Sequence, residues 1–387
     1  MGPDRNGIFQ ESNLLSNWPE EEPELLWMVE GIGLGYAGPV VTDDKIYLNG
    51  EIDSTSYLFA FDLNGNELWK TPNGKEFIGS GFSATFPGAR ATPTVYSNLV
   101  YTFSGMGSII CCDKESGTTL WEIDMMNDLL GILPEFGFAE SLAIDEEYVY
   151  CFPGGSENNL FALERKTGEV AWSTPALKDT ASYCSPIFVN LSDKKMLVTM
   201  SQHHLFAVNC SNGDLLFDYP IEGYEAPGDH CNSPIYYEGA IYQAFGDRFG
   251  KGAVKLTLSD DGKQADESWT NDRIKNNFDG LILHNNLLFS TIRGNHLMAI
   301  ELNKGTVVDS VDIATGGLMF ADNKFICYGN NGVVSLVNYD ENKVNVGGNF
   351  KIEQGTNHHF ARPVIASGVL YISRGNALMA YNVSDNL

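Results

Sequence analysis

Residues 57–69 read YLFAFDLNGNELW. An apolar run from Tyr57 to Phe61 meets a turn-forming stretch from Asp62 to Asn66, and a second short strand ends on Trp69. Asp, Asn and Gly serve such turns because they tolerate left-handed backbone angles and bond their own main chain. The unit recurs as SIICCDKESGTTLW (108–121), NLFALERKTGEVAW (159–172), HLFAVNCSNGDLLF (204–217) and HLMAIELNKGTVV (296–308). A further strand pair precedes each unit, as in GPVVTDDKIYLNG (38–50), TPTVYSNLVYTFSG (92–105) and RPVIASGVLYISRG (362–375). Equivalent turn positions are Asp62, Asp113, Glu164, Asn209, Thr257, Glu301, Asn338 and Asn382, a mean spacing of about 46 residues. Four strands every 40–50 residues or so is the signature of a β-propeller. Helical repeats are excluded, because apolar residues alternate or run in short blocks between frequent Gly/Asn/Asp turns.

The expected fold is all-β: an eight-bladed β-propeller of four-stranded antiparallel blades, one domain over residues 1–387. Blade eight has only three strands before Leu387. ELLWMVE (24–30) matches the ELW and TLW strands that end other blades, so the N-terminal strand is expected to complete the last blade. An open ring would leave strand edges with unpaired backbone groups. Residues 1–23 form an N-terminal extension, expected to run across the outside. Blades five and seven are the most degenerate: one carries an extended turn, the other lacks a terminal aromatic.

Composition narrows the function classes. Lys and Arg number 24 against 50 Asp and Glu, a net charge of −26. That balance argues against nucleic acid and anionic membrane surfaces, both of which are held through Lys and Arg. Hydrophobic residues at 43% and charged residues at 19% suit a well-buried folded chain. No run approaches the roughly 18 apolar residues of a membrane span. MGPDRNGIFQ has neither the basic start nor the apolar core of a signal peptide. Seven cysteines without a C-x-x-C pair fit neither a zinc site nor a complete disulfide framework, and strand cysteines act as small apolar fillers.

The A-F/L-x-x-x-x-G-x-x-x-W pattern resembles the quinoprotein-like, or PQQ-like, propeller repeat over about residues 24–384. GPDRNGIF followed by LLW is similar to a bacterial branch of PQQ-like repeat proteins. The same repeat occurs in the outer-membrane assembly lipoprotein BamB, a scaffold with no cofactor. The resemblance implies an extracytoplasmic place, periplasmic or at the cell surface with a leader removed; free-looking cysteines keep the cytoplasm as the alternative. The quinone dehydrogenases of this family are considerably longer. They carry a vicinal disulfide, a stacking Trp, a Ca²⁺ site of Glu and Asn, and a catalytic Asp at the tunnel mouth. Here the vicinal pair Cys111-Cys112 falls in the register of Phe59-Ala60-Phe61 and replaces ordinary strand residues. All six tryptophans fall at strand ends or in the N-terminal segment. Gly33-x-Gly35-x-x-Gly38 matches a dinucleotide fingerprint in letters, but Pro39 and a β run follow where that motif needs a helix. His204 and His296 share one repeat position and read as structural.

A candidate site follows from the strand starts. The innermost strands begin near Pro39, Pro93, Ser141, Pro186, Pro234, Gly280, Gly317 and Pro363. Residues one and three positions earlier alternate onto the same side. They give a ring of Tyr36, Arg90, Glu140, Tyr183, Asp279 and Arg362 at one channel mouth, with His230 and His359 just outside. The connections 72–90 and 125–139, rich in Phe, Leu, Met and Gly, flank that mouth and suit a protein partner. The expectation is a monomeric, non-catalytic binding or scaffold module for a protein or a small polar or sugar ligand, with no catalytic residue, metal or cofactor. The alternatives are a quinone-dependent oxidoreductase, using PQQ with calcium, and a cell-surface carbohydrate-binding protein.

Overall fold

The computed structural model describes residues 2, 4–175, 177–221, 230–246, 251–276, 280–340 and 343–385. The apolar runs become eight four-stranded antiparallel sheets. Blade one consists of Val40–Val41, Ile46–Ile52, Thr55–Phe61 and Glu67–Lys75, from the axis outwards. Blades two to seven repeat it, with innermost strands Thr94–Tyr96, Ala143–Ile144, Ile187–Asn190, Ile235–Tyr237, Ile282–His284 and Gly316–Ala321. In blade eight, Val364–Ala366, Val369–Arg374 and Ala377–Asn382 are completed by Leu25–Glu30, which pairs antiparallel with Met28 opposite Met379. The eight-bladed ring is thus closed by its N-terminal strand, as the repeat implies.

Middle strands are covered by a neighbouring blade on each face, which is why they are buried almost from end to end. Outer strands are half exposed; Leu25–Glu30 alternates residue by residue. The hydrophobic core therefore lies between blades. One cluster joins Tyr101, Cys111 and Trp121 of blade two to Tyr150 and Phe161 of blade three and Phe206 of blade four.

The repeat motif itself makes the blade-to-blade joint. A Cβ placed on Gly117 would lie 2.5 Å from the ring of Trp69 in the preceding blade. The same relation holds for Gly65 with Trp27, Gly168 with Trp121, Gly213 with Trp172 and Gly305 with Trp269. All five glycines have φ between +66° and +83°. Only glycine meets both demands cheaply. The same turns accept hydrogen bonds: Trp121 Nε1 donates to Arg165 O at 3.1 Å, Trp269 Nε1 to Leu302 O at 3.0 Å and Trp27 Nε1 to Leu63 O at 3.0 Å. Within each blade the indole also meets a tyrosine of the second strand, such as Tyr47–Trp69 at 5.9 Å and Tyr101–Trp121 at 6.0 Å. Asp62, Asp113, Asn209 and Glu301 shape their turns by accepting main-chain N–H groups two residues on.

Two details differ from the sequence reading. Thr257 and Asn338 lie inside strands, opposite Asp266 and Asn345, because the third and fourth strands of blades five and seven run on before turning. The N-terminal extension does not stay on the outside. Glu11 accepts the N–H groups of Ser367 and Gly368 in the inner hairpin turn of blade eight, both at 2.9 Å. Leu14 N–H donates to Asp322 in the corresponding turn of blade seven. Ahead of these contacts the chain lies in the axial channel, where Ile8 forms a parallel bridge with Phe320 of an innermost strand.

The joint makes a test. Gly117→Ala should cost a left-handed backbone penalty plus a collision with Trp69. Gly239→Ala, at φ +77° with nothing within 4 Å of the new Cβ, should cost the backbone penalty alone. Urea unfolding should place Gly117→Ala about 1–3 kcal/mol below Gly239→Ala in stability. Equal destabilisation would remove the Trp–Gly contact from its role.

Candidate functional site

Each innermost strand runs from a long inter-blade connection to a short hairpin turn, so the connections gather at one end of the axis. There the rings of five connections form a continuous arc. Tyr36 meets Phe360 at 5.5 Å, and Phe360 lies parallel to His358 at 5.0 Å. Phe86 meets His358 at 5.0 Å, Phe82 at 5.4 Å and Phe136 at 5.9 Å. Phe136 in turn meets Tyr183 at 6.1 Å, and its N–H donates to the Tyr183 hydroxyl at 3.2 Å. Phe82 is 60% exposed and Leu130, on the next connection, is 68% exposed. Ile78, on the connection of Phe82, and Ile132, on that of Leu130, are also exposed.

The ring expected from the strand starts divides between this surface and the interior. Tyr36 and Arg90 stack, the guanidinium 5.3 Å from the Tyr36 ring and 5.7 Å from that of Phe77. Arg90 donates to Gly88 O at 2.8 Å and also to Phe86 O, so it holds the shape of its own connection. Burial lowers its pKa, and the fields of Tyr36, Glu76, Tyr183 and Cys231 oppose that. Tyr183 is buried and joined to the arc through Phe136. Arg362 starts blade eight half-buried, its carbonyl 3.0 Å from where a Cβ on Gly38 would sit. Asp279 lies outside the described residues.

The other three lie inward. His230 is fully buried, with Nε2 3.2 Å from Gln202 O and Nδ1 accepting from Gly246 N–H at 3.3 Å. Burial takes its pKa down to about 3, so the ring is neutral. His359 turns towards blade seven, with Nδ1 2.6 Å from the Tyr328 hydroxyl, and its pKa falls to about 4. Glu140 is fully enclosed and accepts Phe152 N–H at 3.1 Å; burial pushes its carboxyl up to about 8 against that hydrogen bond and the Arg5 charge.

Arg5 is a residue that the strand-start reasoning missed. Its Nη1 donates to Leu142 O at 2.9 Å and its Nη2 to Ser141 O at 2.7 Å, at the start of blade three's innermost strand. The stretch GPDRNGIF stood out only as a family-like motif, because no local periodicity tells that a segment will cross a ring. Five tryptophans are committed between blades, and Cys111 and Cys112 point to opposite faces of their sheet, into separate apolar clusters. Among the described residues, no three His, Cys, Asp or Glu groups are placed to hold a metal ion. His204 and His296 each pair with an outer-strand carboxylate at 2.7 Å, Asp218 and Asp312.

Glu140 gives a pH test. Its carboxyl takes up a proton near pH 4.5 when unfolded and near 8 when folded. Its contribution to stability is therefore complete below about pH 4.5 and is lost as pH rises towards 8. Glu140→Gln keeps an acceptor for Phe152 and removes the proton. Wild-type stability measured against this variant should fall from pH 5 to pH 8; parallel curves would show that the carboxyl is solvated.

Comparison with known proteins agrees with the fold. The family model described as outer membrane protein assembly factor BamB matches residues 54–310, two-thirds of the chain. BamB from Moraxella catarrhalis superposes with a TM-score of 0.68 at 10% identity, over 93% of this chain and 99% of that one. Quinohemoprotein alcohol dehydrogenase from Comamonas testosteroni gives 0.70 at 12% identity, over 99% and 79%. A europium-containing methanol dehydrogenase gives 0.71 at 10% identity, over 96% and 88%. At such identities these likenesses speak for the fold alone. No curated protein matches the chain in sequence. With the repeat, the closed eight-bladed ring and the family match together, the chain belongs to the BamB-type family of PQQ-like repeat propellers.

Proposed function

We propose that this chain is a non-catalytic scaffold that takes a protein partner on the aromatic arc of its channel mouth, outside the cytoplasm. The observation that carries the reading is the arc itself. Phe82, Phe86, Phe136 and His358 form one cluster of rings, and Ile78, Leu130 and Ile132 on the same connections are exposed. Contiguous exposed apolar surface marks interaction sites, and aromatic anchors dominate interface energetics. The net charge of −26 favours a partner with a basic rim.

The family's description as an outer membrane protein assembly factor supports an extracytoplasmic place. The thiols do not oppose it. Cys111, Cys112, Cys151, Cys184, Cys210 and Cys327 are buried, and burial pushes Cys112 up to about 11 and Cys111, Cys210 and Cys327 to about 12. Oxidation proceeds through the exposed thiolate, so these groups are sheltered in an oxidising compartment.

A photoreactive residue at Phe82, with a control at exposed Leu215 on the outer strand of blade four, identifies the partner in cells. The purified partner should then lose about tenfold or more in affinity to Phe82→Ala with Phe136→Ala, the usual scale of aromatic anchors. Cross-links confined to Leu215, or unchanged affinity, would move the site elsewhere. Binding of an oligosaccharide to the same arc would replace the protein by a sugar. Turnover of alcohols with PQQ and Ca²⁺ and an artificial electron acceptor would replace the scaffold by the oxidoreductase.

A further inference from the structure

The innermost strand of a propeller blade has one paired edge and one edge facing the axis. In blade seven the axial edge is used. Phe9 N–H donates to Phe320 O at 2.9 Å, and Phe320 N–H donates to Gly7 O at 2.9 Å. Residues 7–9 thus add to the blade as a short parallel strand, the main-chain mode by which sheet edges bind extended peptides. Four residues before Phe9, Arg5 reaches Ser141 O and Leu142 O in blade three. Blades three and seven stand on opposite sides of an eight-membered ring, so the segment spans the channel.

The positions between are specified one by one. Asn6 Oδ1 accepts Ile8 N–H at 3.0 Å, which fixes the bend between the arginine and the strand. Gly7 has φ +77°, and a Cβ there would lie 3.1 Å from Ile282 of blade six. Ile8 packs against the apolar cluster of Ile282, Leu318 and Phe320. An arginine, a side-chain-free position and an aliphatic residue are therefore read at three places by three blades, on a main chain paired to blade seven.

We propose that the axial channel is a strand-addition site for an extended peptide of Arg-x-Gly-aliphatic chemistry, filled in cis by residues 5–9. A partner's peptide of the same chemistry enters when this segment leaves. The site is entered from the hairpin-turn end of the axis, opposite the aromatic arc, and does not rest on the partner assigned to that arc.

The test uses the full chain. In Arg5→Ala with Gly7→Val, the anchor is removed and a branched side chain is placed at a left-handed position against Ile282. The probe is a fluorescein-labelled peptide, GPDRNGIFQES, of residues 2–12. The released variant should bind it, and wild type should bind about tenfold more weakly or worse because its own segment competes. A probe with Ala for Arg should lose about tenfold to a hundredfold on the released variant, the scale of a charged hydrogen-bond pair. Equal binding by wild type and the released variant would overturn competition in cis. A folded released variant that ignores the probe, or that binds the Arg-less probe equally, would overturn the site. Hydrogen exchange on wild type decides independently of any variant: the Phe9 and Phe320 amides should be protected, and exchange at open-chain rates would sink the proposal.

Discussion

The rest of the structure depends on an indole ring lying flat against a glycine of the next blade. A ring of sheets with no α-helix among its described residues has no layer to cover its faces except its neighbours, so stability lies in the joints. Tryptophan covers a large area, and the residue facing it must offer none. Glycine in a left-handed turn satisfies that, and the carbonyls of the same turn take the indole N–H or a tyrosine hydroxyl. Threonine two residues after the tryptophan extends the joint, with Thr71 donating to Gly117 O and Thr174 to Gly213 O. One contact thereby fixes both the spacing of adjacent blades and the register of their outer hairpins.

Where the tryptophan is missing, the chain substitutes other joints. Lys194 of blade four donates to Asp261 O of blade five, and Val344 N–H of blade seven donates to Asp309 of blade six. At blade seven the N-terminal segment supplies Trp18, which packs edge-on to Phe350 at 5.5 Å and donates to Val334 O at 3.1 Å. The same segment supplies Trp27, whose contact with Gly65 makes the closing joint resemble the others. Ring closure is thus a side-chain joint as well as a strand pairing, and the segment is shared between closing the ring and occupying its axis.

The fold was legible because its determinants are local. Glycine, turn and tryptophan recur within about fourteen residues, and period-two alternation sorts inner from outer strands. The arc was half legible. Tyr36, Arg90, Tyr183 and Arg362 come from counting back along strands, whereas Phe82, Phe86, Phe136, His358 and Phe360 sit on connections with no period to count. Burial was not legible: Glu140 shares its offset with half-buried Thr92 and Arg362, and only the packed ring shows that its carboxyl faces Phe152 N–H instead of water. The path of residues 5–14 was illegible for the same reason. Its partners, Ser141, Phe320, Asp322 and Ser367, are more than a hundred residues away.

The buried charged groups near the axis act on the main chain. Glu76 and Glu140 are buried, and each accepts from main-chain N–H groups: Phe77 and Gly105 for the first, Phe152 for the second. Burial raises both carboxyls. Arg90 and Arg5 contribute to the fields at these two acids, but neither spends its hydrogen bonds on them. Arg90 binds the carbonyls of Gly88 and Phe86, and Arg5 those of Ser141 and Leu142. A guanidinium used in this way fixes the backbone that presents its neighbours. Arg90 sets the angle of Phe86, and Phe86 carries the contacts to Phe82, Phe136 and His358. What the connections offer a ligand is therefore aromatic surface on a charged frame, the arrangement that suits apolar side chains of a partner better than a small anion.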